Sequence, residues 1–136
     1  MFACDSLFAW KSAMFRKMLR CKIHRATVTH CDPDYVGSIT IDANLLEAAG
    51  MRPNEVVSIY DITNAARFET YIIKGPAGSG VIGINGAAAK LVNQGDKVII
   101  VNYAFYTPDE LDGHSAKIIL CDDHNAIADT LQYDSE

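Results

Sequence analysis

A chain of 136 residues, 49% apolar and 21% charged, is sized for one compact domain with a real core, and no apolar run is long enough to cross a membrane. The net charge of −5 is unevenly placed: residues 1–20 hold four basic side chains against Asp5, while the remainder holds eight basic and sixteen acidic ones. So acidic a body argues against nucleic acid as the main partner. Cys4, Cys21, Cys31 and Cys121 form no C-x-x-C pair and no regular spacing, which favours reduced thiols in a cytosolic protein over disulfides or a zinc site.

Within residues 1–20, Leu7, Phe8, Met14, Phe15, Met18 and Leu19 would give a short helix one apolar stripe and a basic remainder. Membrane targeting is weighed against the break at Lys11 and the lack of a small-residue cleavage site. The simpler expectation is that Met14 or Met18 is the natural start. Residues 1–13 are then an N-terminal extension and 14–136 a single domain. Lys22–Thr29 reads as a strand by its β-branched content, and period two puts Lys22, His24, Ala26 and Val28 on one face. That face is either an exposed strand end or a cationic pair at the mouth of a carboxylate-binding cavity. His30-Cys31-Asp32-Pro33-Asp34 reads as a turn.

The next stretch, Tyr35-Val36-Gly37-Ser38-Ile39-Thr40-Ile41-Asp42, holds a Gly-Ser bond open to two readings. It is a bend leading into a strand, or it is a site of self-cleavage. The second requires a serine whose Oγ attacks the preceding carbonyl, and a glycine leaves that carbonyl unshielded and tolerant of strained φ/ψ values. The resulting ester can break by β-elimination. Hydrolysis of the dehydroalanine would leave a second chain beginning with a pyruvoyl group made from Ser38, able to form a Schiff base with an amine. Gly78-Ser79, in the flexible loop Gly75-Pro76-Ala77-Gly78-Ser79-Gly80, shows that the dipeptide alone has little meaning.

Asp42 is placed to cap a helix through Asn44–Ala49 that Gly50 and Pro53 stop. Val56–Tyr60 reads as a strand, and Ile62-Thr63 and Arg67–Ile73 as two more around a turn at Asn64-Ala65. Arg67, Glu69, Tyr71 and Ile73 share one face of the last, so Arg67 and Tyr71 are either surface residues or candidates for one cavity. Val81–Asn85 is a buried-type strand. Gly86–Val92 opens a short helix, either plainly capped or with free N–H groups for an anion. Lys97–Tyr106 is the longest β-like run and is expected in the core, Ala116–Cys121 is a last strand, and the tail from Asp129 is expected to be loose. Many short strands at close spacing with little helix give a mainly β fold, a small β-barrel with short helices.

Four blocks in order, Met18–Thr29, Tyr35–Asp42, Arg67-Phe68-Glu69-Thr70-Tyr71 and Asn85-Gly86-Ala87-Ala88-Ala89, make the chain resemble the pyruvoyl-dependent aspartate 1-decarboxylase family from Met14 to about Pro108. The resemblance implies a six-stranded double-psi β-barrel, a cytoplasmic homotetramer and an active site between subunits. It implies decarboxylation of L-aspartate to β-alanine and carbon dioxide for pantothenate and coenzyme A biosynthesis. The cofactor would be a covalent pyruvoyl group from Ser38, with neither metal nor pyridoxal phosphate. Gly37 becomes the end of the smaller chain and Tyr71 the proton donor. Thr70 supports self-processing and substrate contact, Lys22 and Arg67 are the carboxylate-binding cations, and Gly86, Ala87 and Ala88 line the substrate. His24, Tyr35 and Asn85 lie close by in supporting roles. The chain departs in having Ala65 where Gly is usual, Tyr60 where Trp is common, and Ile39 where Cys often follows the serine. Which cation takes the α-carboxylate stays open, as does the need for a maturation factor. The alternatives are a pyruvoyl decarboxylase for another amino acid such as glutamate, and an uncleaved barrel used only for binding.

Overall fold

A computed structural model describes residues 14–136. The N-terminal extension and Cys4 lie outside the described residues, as does most of the expected amphipathic helix. The end of that stretch is strand instead: β1 runs Arg16–Thr27. The alternation of Met18, Arg20 and Lys22 with Leu19, Cys21 and Ile23 fits a pleated strand as well as a helical stripe, and pairing with a long partner decides between them.

The remaining elements are β2 (His30–Asp32), β3 (Ser38–Asp42), α1 (Ala43–Ala49), β4 (Val56–Asp61), β5 (Arg67–Gly75), β6 (Ile82–Asn85), a 3₁₀ turn (Gly86–Lys90), β7 (Lys97–Tyr106), a second 3₁₀ turn (Asp109–Leu111), β8 (Ser115–Cys121) and β9 (Ile127–Asp134). The fold is mainly β. All nine strands join one sheet in the order β2-β6-β3-β5-β4-β7-β1-β8-β9. Five pairs are antiparallel and three are parallel, β1 with β8, β2 with β6 and β3 with β5. Ile23, Ile39, Ile41, Ile59, Ile72, Ile82, Ile84 and Ile100 fill the interior and are wholly buried. Such β-branched side chains suit strands that are covered by packed side chains.

Several expectations are corrected. Lys22 and His24 do not share a face with Ala26 and Val28: the register shifts between Ile23 and Ala26, Arg25 takes φ +62°, and the bulge reverses the alternation. Ala26 and Val28 are therefore buried, while Lys22 and His24 stay partly exposed. His30–Asp32, expected as a turn, is the short strand β2, held by its parallel partner β6. Ile62-Thr63 is part of the β4–β5 turn, because Asp61 Oδ1 accepts the Thr63 and Asn64 N–H groups and bends the chain at once. The Lys97–Tyr106 strand is core only in its first half, and Tyr103 and Phe105 face outward. The tail expected to be loose forms β9, zipped to β8 from Ser115↔Asp134 to Cys121↔Ile127. Polar residues on both its faces hid it, since β9 lies exposed along its whole length.

Helix α1 is as read. The Asp42 carboxylate accepts the Asn44 N–H, Gly50 ends the helix at φ +76°, and Leu45, Leu46 and Ala49 face the core.

Candidate active site

Strand β3 starts abruptly at the Gly37–Ser38 bond. Ser38 is buried and has φ +125°, a region that L side chains avoid at a strain of about 1–3 kcal/mol. Antiparallel pairing sets it opposite Asn85 on β6, and Asn85 Nδ2 donates to Ser38 Oγ at 3.1 Å. The same amide donates to Thr40 Oγ1 at 3.1 Å, which fixes its orientation. Thr40 is a site residue that the sequence reading missed. The signal was there: it stands two residues beyond Ser38 and so on the same face of β3.

Gly86, next to Asn85, has φ +71°, and a β-carbon there would lie 2.7 Å from Gly37 Cα and 3.4 Å from the Tyr35 carbonyl. A side chain at Gly86 is excluded by both conformation and space. Gly37 itself is open, with nothing within 4 Å of where its β-carbon would stand. The approach to Gly37 is an Asx turn in which Asp32 Oδ1 accepts the Asp34 and Tyr35 N–H groups, and Tyr35 projects into solvent. At the far end of β3, burial of Asp42 favours its protonated form, but N–H groups of Gly80, Asn44 and Gly78 outweigh this and hold its pKa below the ordinary value. This carboxylate ties the strand, helix α1 and the Gly75–Gly80 loop together.

Strand β5 runs parallel to β3 with Ile39 beside Ile72, so Tyr71 is level with Ser38. Inward Thr70 is half-buried and outward Tyr71 is exposed, as their opposite faces require. Arg67 lies four residues earlier, about 13 Å along the strand, with its guanidinium carbon 3.7 Å from the Tyr60 ring centroid. Lys22 lies four strands from β3 in the sheet order, its Nζ 5.8 Å from the Tyr133 ring centroid. Among the described residues neither Lys22 nor Arg67 is paired with a carboxylate. Beside Lys22, burial and then the charges of Lys22 and Arg25 push the His24 imidazole below its ordinary pKa, and its Nδ1 is buried without a partner. Ala87 and Ala88 continue from Gly86 in the 3₁₀ turn, Ala87 exposed and Ala88 half-buried. Ser38, Gly37, Tyr35, Asn85 and Gly86 therefore converge, with Thr70 and Tyr71 on the neighbouring strand. Lys22, His24 and Arg67 stand apart from them.

The sequence profile described as Aspartate decarboxylase matches residues 14–128. The chain belongs to the aspartate decarboxylase family. The match reaches beyond Pro108 to take in β8 and the start of β9. Membership makes the chain a carboxy-lyase, and its fold is mainly β. Aspartate 1-decarboxylase of Neisseria meningitidis serogroup C is 54% identical over 121 residues, 89% of this chain and 95% of that one. Aspartate 1-decarboxylase of Caldicellulosiruptor saccharolyticus is 55% identical over 114 residues, 84% and 89% of the two chains. Among solved structures, a rationally designed double-psi β-barrel protein superposes with a TM-score of 0.44 and 18% identity, covering 61% of this chain and 91% of that one.

Proposed function

We propose that this aspartate decarboxylase family member decarboxylates L-aspartate to β-alanine and carbon dioxide, using a pyruvoyl group that it makes by cutting its own Gly37–Ser38 bond. The observation that carries the reading is the buried, strained Ser38 whose Oγ accepts a hydrogen bond from Asn85. Oγ adds to the Gly37 carbonyl carbon, the C–N bond breaks, and an ester replaces the amide. Strain at Ser38 weighs against the amide and is relieved as that bond opens. Asn85 steadies the charge that grows on Oγ, and the Thr70 hydroxyl serves the oxyanion at the Gly37 carbonyl. β-Elimination releases the Gly37 carboxylate, and water then replaces nitrogen at the former Ser38 carbon with loss of ammonia.

The pyruvoyl group so made supplies an electron-accepting carbonyl to the substrate amine. The residues fit it: Gly37 is unshielded, and Gly86 brings its backbone against Gly37 more closely than any residue with a β-carbon could. Aspartate brings two carboxylates, and Arg67 and Lys22 are two cations that no carboxylate of the described residues engages. Their distance from Ser38 in one chain supports a site completed by a neighbouring subunit of a homotetramer. Tyr71, level with Ser38, holds its phenolic proton until a carbanion forms and then delivers it. The carboxylate that leaves is held less tightly than the one that stays. Supply of β-alanine to pantothenate synthesis in the cytoplasm is the role this chemistry serves.

Intact mass of the purified protein tests the first step. Fragments of residues 1–37 and 38–136, the larger with a blocked N-terminus, are expected, together with carbon dioxide release from aspartate and little from glutamate. A single uncut chain that still releases carbon dioxide would overturn the self-cleavage reading.

A further inference from the structure

Four side chains form a row across four neighbouring strands. In strand order they are Arg67 on β5, Tyr60 on β4, Tyr103 on β7 and Lys17 on β1. The Arg67 guanidinium lies 3.7 Å from the centre of the Tyr60 ring, the Tyr60 and Tyr103 hydroxyl oxygens are 2.9 Å apart, and Lys17 Nζ is 5.1 Å from the centre of the Tyr103 ring. Register sets Arg67 directly opposite Tyr60. Tyr60 faces Ile99 rather than Tyr103, so the two phenols reach along the sheet surface and meet at their oxygens. Glu69 shares the outward face of β5 with Arg67 but is not within ion-pair distance of it.

An exposed arginine samples many rotamers and loses that freedom when it grips a carboxylate. A guanidinium laid on an aromatic face has already lost it, while its N–H edge stays available for a planar, two-point contact. We infer that Tyr60 and Tyr103 are positioning residues for Arg67: Tyr60 fixes the plane of the guanidinium, and the Tyr103 hydroxyl fixes the Tyr60 ring. The inference rests on the reading of Arg67 as a substrate-carboxylate anchor. It adds two residues to which no role has been given, and it explains how a tyrosine serves at position 60, since its hydroxyl finds a partner across the sheet.

Steady-state kinetics on fully cleaved protein test it. Tyr60→Leu should raise KM for aspartate by about twofold to thirtyfold, the worth of a guanidinium–ring stack, with a smaller change in kcat. The inhibition constant of succinate, a dicarboxylate without an amine, should rise by the same factor. Tyr60→Trp should restore both. Tyr103→Phe should raise KM by about twofold to fivefold, the worth of one neutral hydrogen bond. In a Tyr60→Phe background it should add nothing, because the link is already gone, whereas a Tyr103 acting only through fold stability would add its effect independently. If these variants leave KM and succinate inhibition unchanged while Arg67→Ala raises both, Arg67 binds carboxylate without the tyrosine platform and the inference is overturned. If Arg67→Ala also changes neither, the anchor reading itself is wrong and the inference falls with it. Should Tyr60→Leu fail to fold, Tyr60→Phe and Tyr103→Phe decide the matter alone.

Discussion

The Gly37–Ser38 corner and the outward face around Arg67 are built in opposite ways. The corner is buried, its donor and acceptor atoms are paired within one chain, and its backbone is strained. The outward face is exposed, its cations lack anionic partners among the described residues, and Lys22 and Arg67 lie on strands far apart in the sheet. Bond cutting needs geometry that only a packed interior holds, whereas substrate capture needs donors left unsatisfied until a ligand comes. On this view maturation is a property of the folded subunit and turnover a property of the assembly.

The sharpest way to break that contrast is at the serine. Ser38→Ala should abolish cleavage and all pyruvoyl-dependent turnover, read by intact mass and carbon dioxide release, and a cut Ser38→Ala chain would sink the acyl-shift chemistry. Tyr71→Phe separates the two regions, keeping the ring and removing one proton. It should cut as the parent does and lose about 10²- to 10⁴-fold in β-alanine formation per pyruvoyl group. Asn85→Ala strikes the corner alone and should slow cleavage by about 10²- to 10³-fold, the loss that follows removal of one preorganised donor to a developing charge, here on Ser38 Oγ. Thr70→Val, lacking the hydroxyl assigned to the oxyanion, should also mature slowly. Normal maturation, timed by electrophoresis, would free Thr70 of that role.

The smallest effect is expected in the turn that joins β4 to β5. Ala65 has φ +65° in the β4–β5 turn, where its N–H donates to the Asp61 carbonyl and Asn64 Oδ1 accepts the Ala66 N–H. These bonds hold an alanine in a conformation that glycine adopts freely. Ala65→Gly should therefore raise unfolding stability by about 1 kcal/mol, measured by urea denaturation, with cleavage unchanged.

The same contrast decided what could be read from sequence. The corner was legible because its parts are short, local motifs: Tyr35–Asp42 and Asn85–Ala89 carry it, and antiparallel pairing joins them. The glycine at 86 announces an unusual backbone need, whereas the φ of +125° at Ser38 shows only in the structure. The outward face was only half legible. Arg67 and Tyr71 were read from period two, but Tyr103 lay inside a run whose apolar character pointed to the core, and its partner across the sheet depends on strand order. Lys22 and His24 were grouped with Ala26 and Val28 because the bulge at Arg25 has no signature beyond a positive φ in a residue that is not glycine. β9 escaped because the alternation of Ile127, Leu131 and Tyr133 with polar residues is short, is broken by Asp129 and lies wholly exposed.

Strand β1 sits between β7 and β8, bonded on one side to a partner antiparallel and on the other to one parallel, and both partners lie far ahead in the chain. On the self-cleavage proposed above, β1 and β2 would belong to one polypeptide and β3 to β9 to another. The sheet must therefore close before the scission, while docking is still intramolecular. After it, the smaller polypeptide would hold one strand threaded into the middle of its host and one at the sheet edge, and unfolding would set free two separate species. Renaturation of the mature protein should then depend on concentration and run slowly, whereas the uncut precursor should refold at a rate independent of dilution.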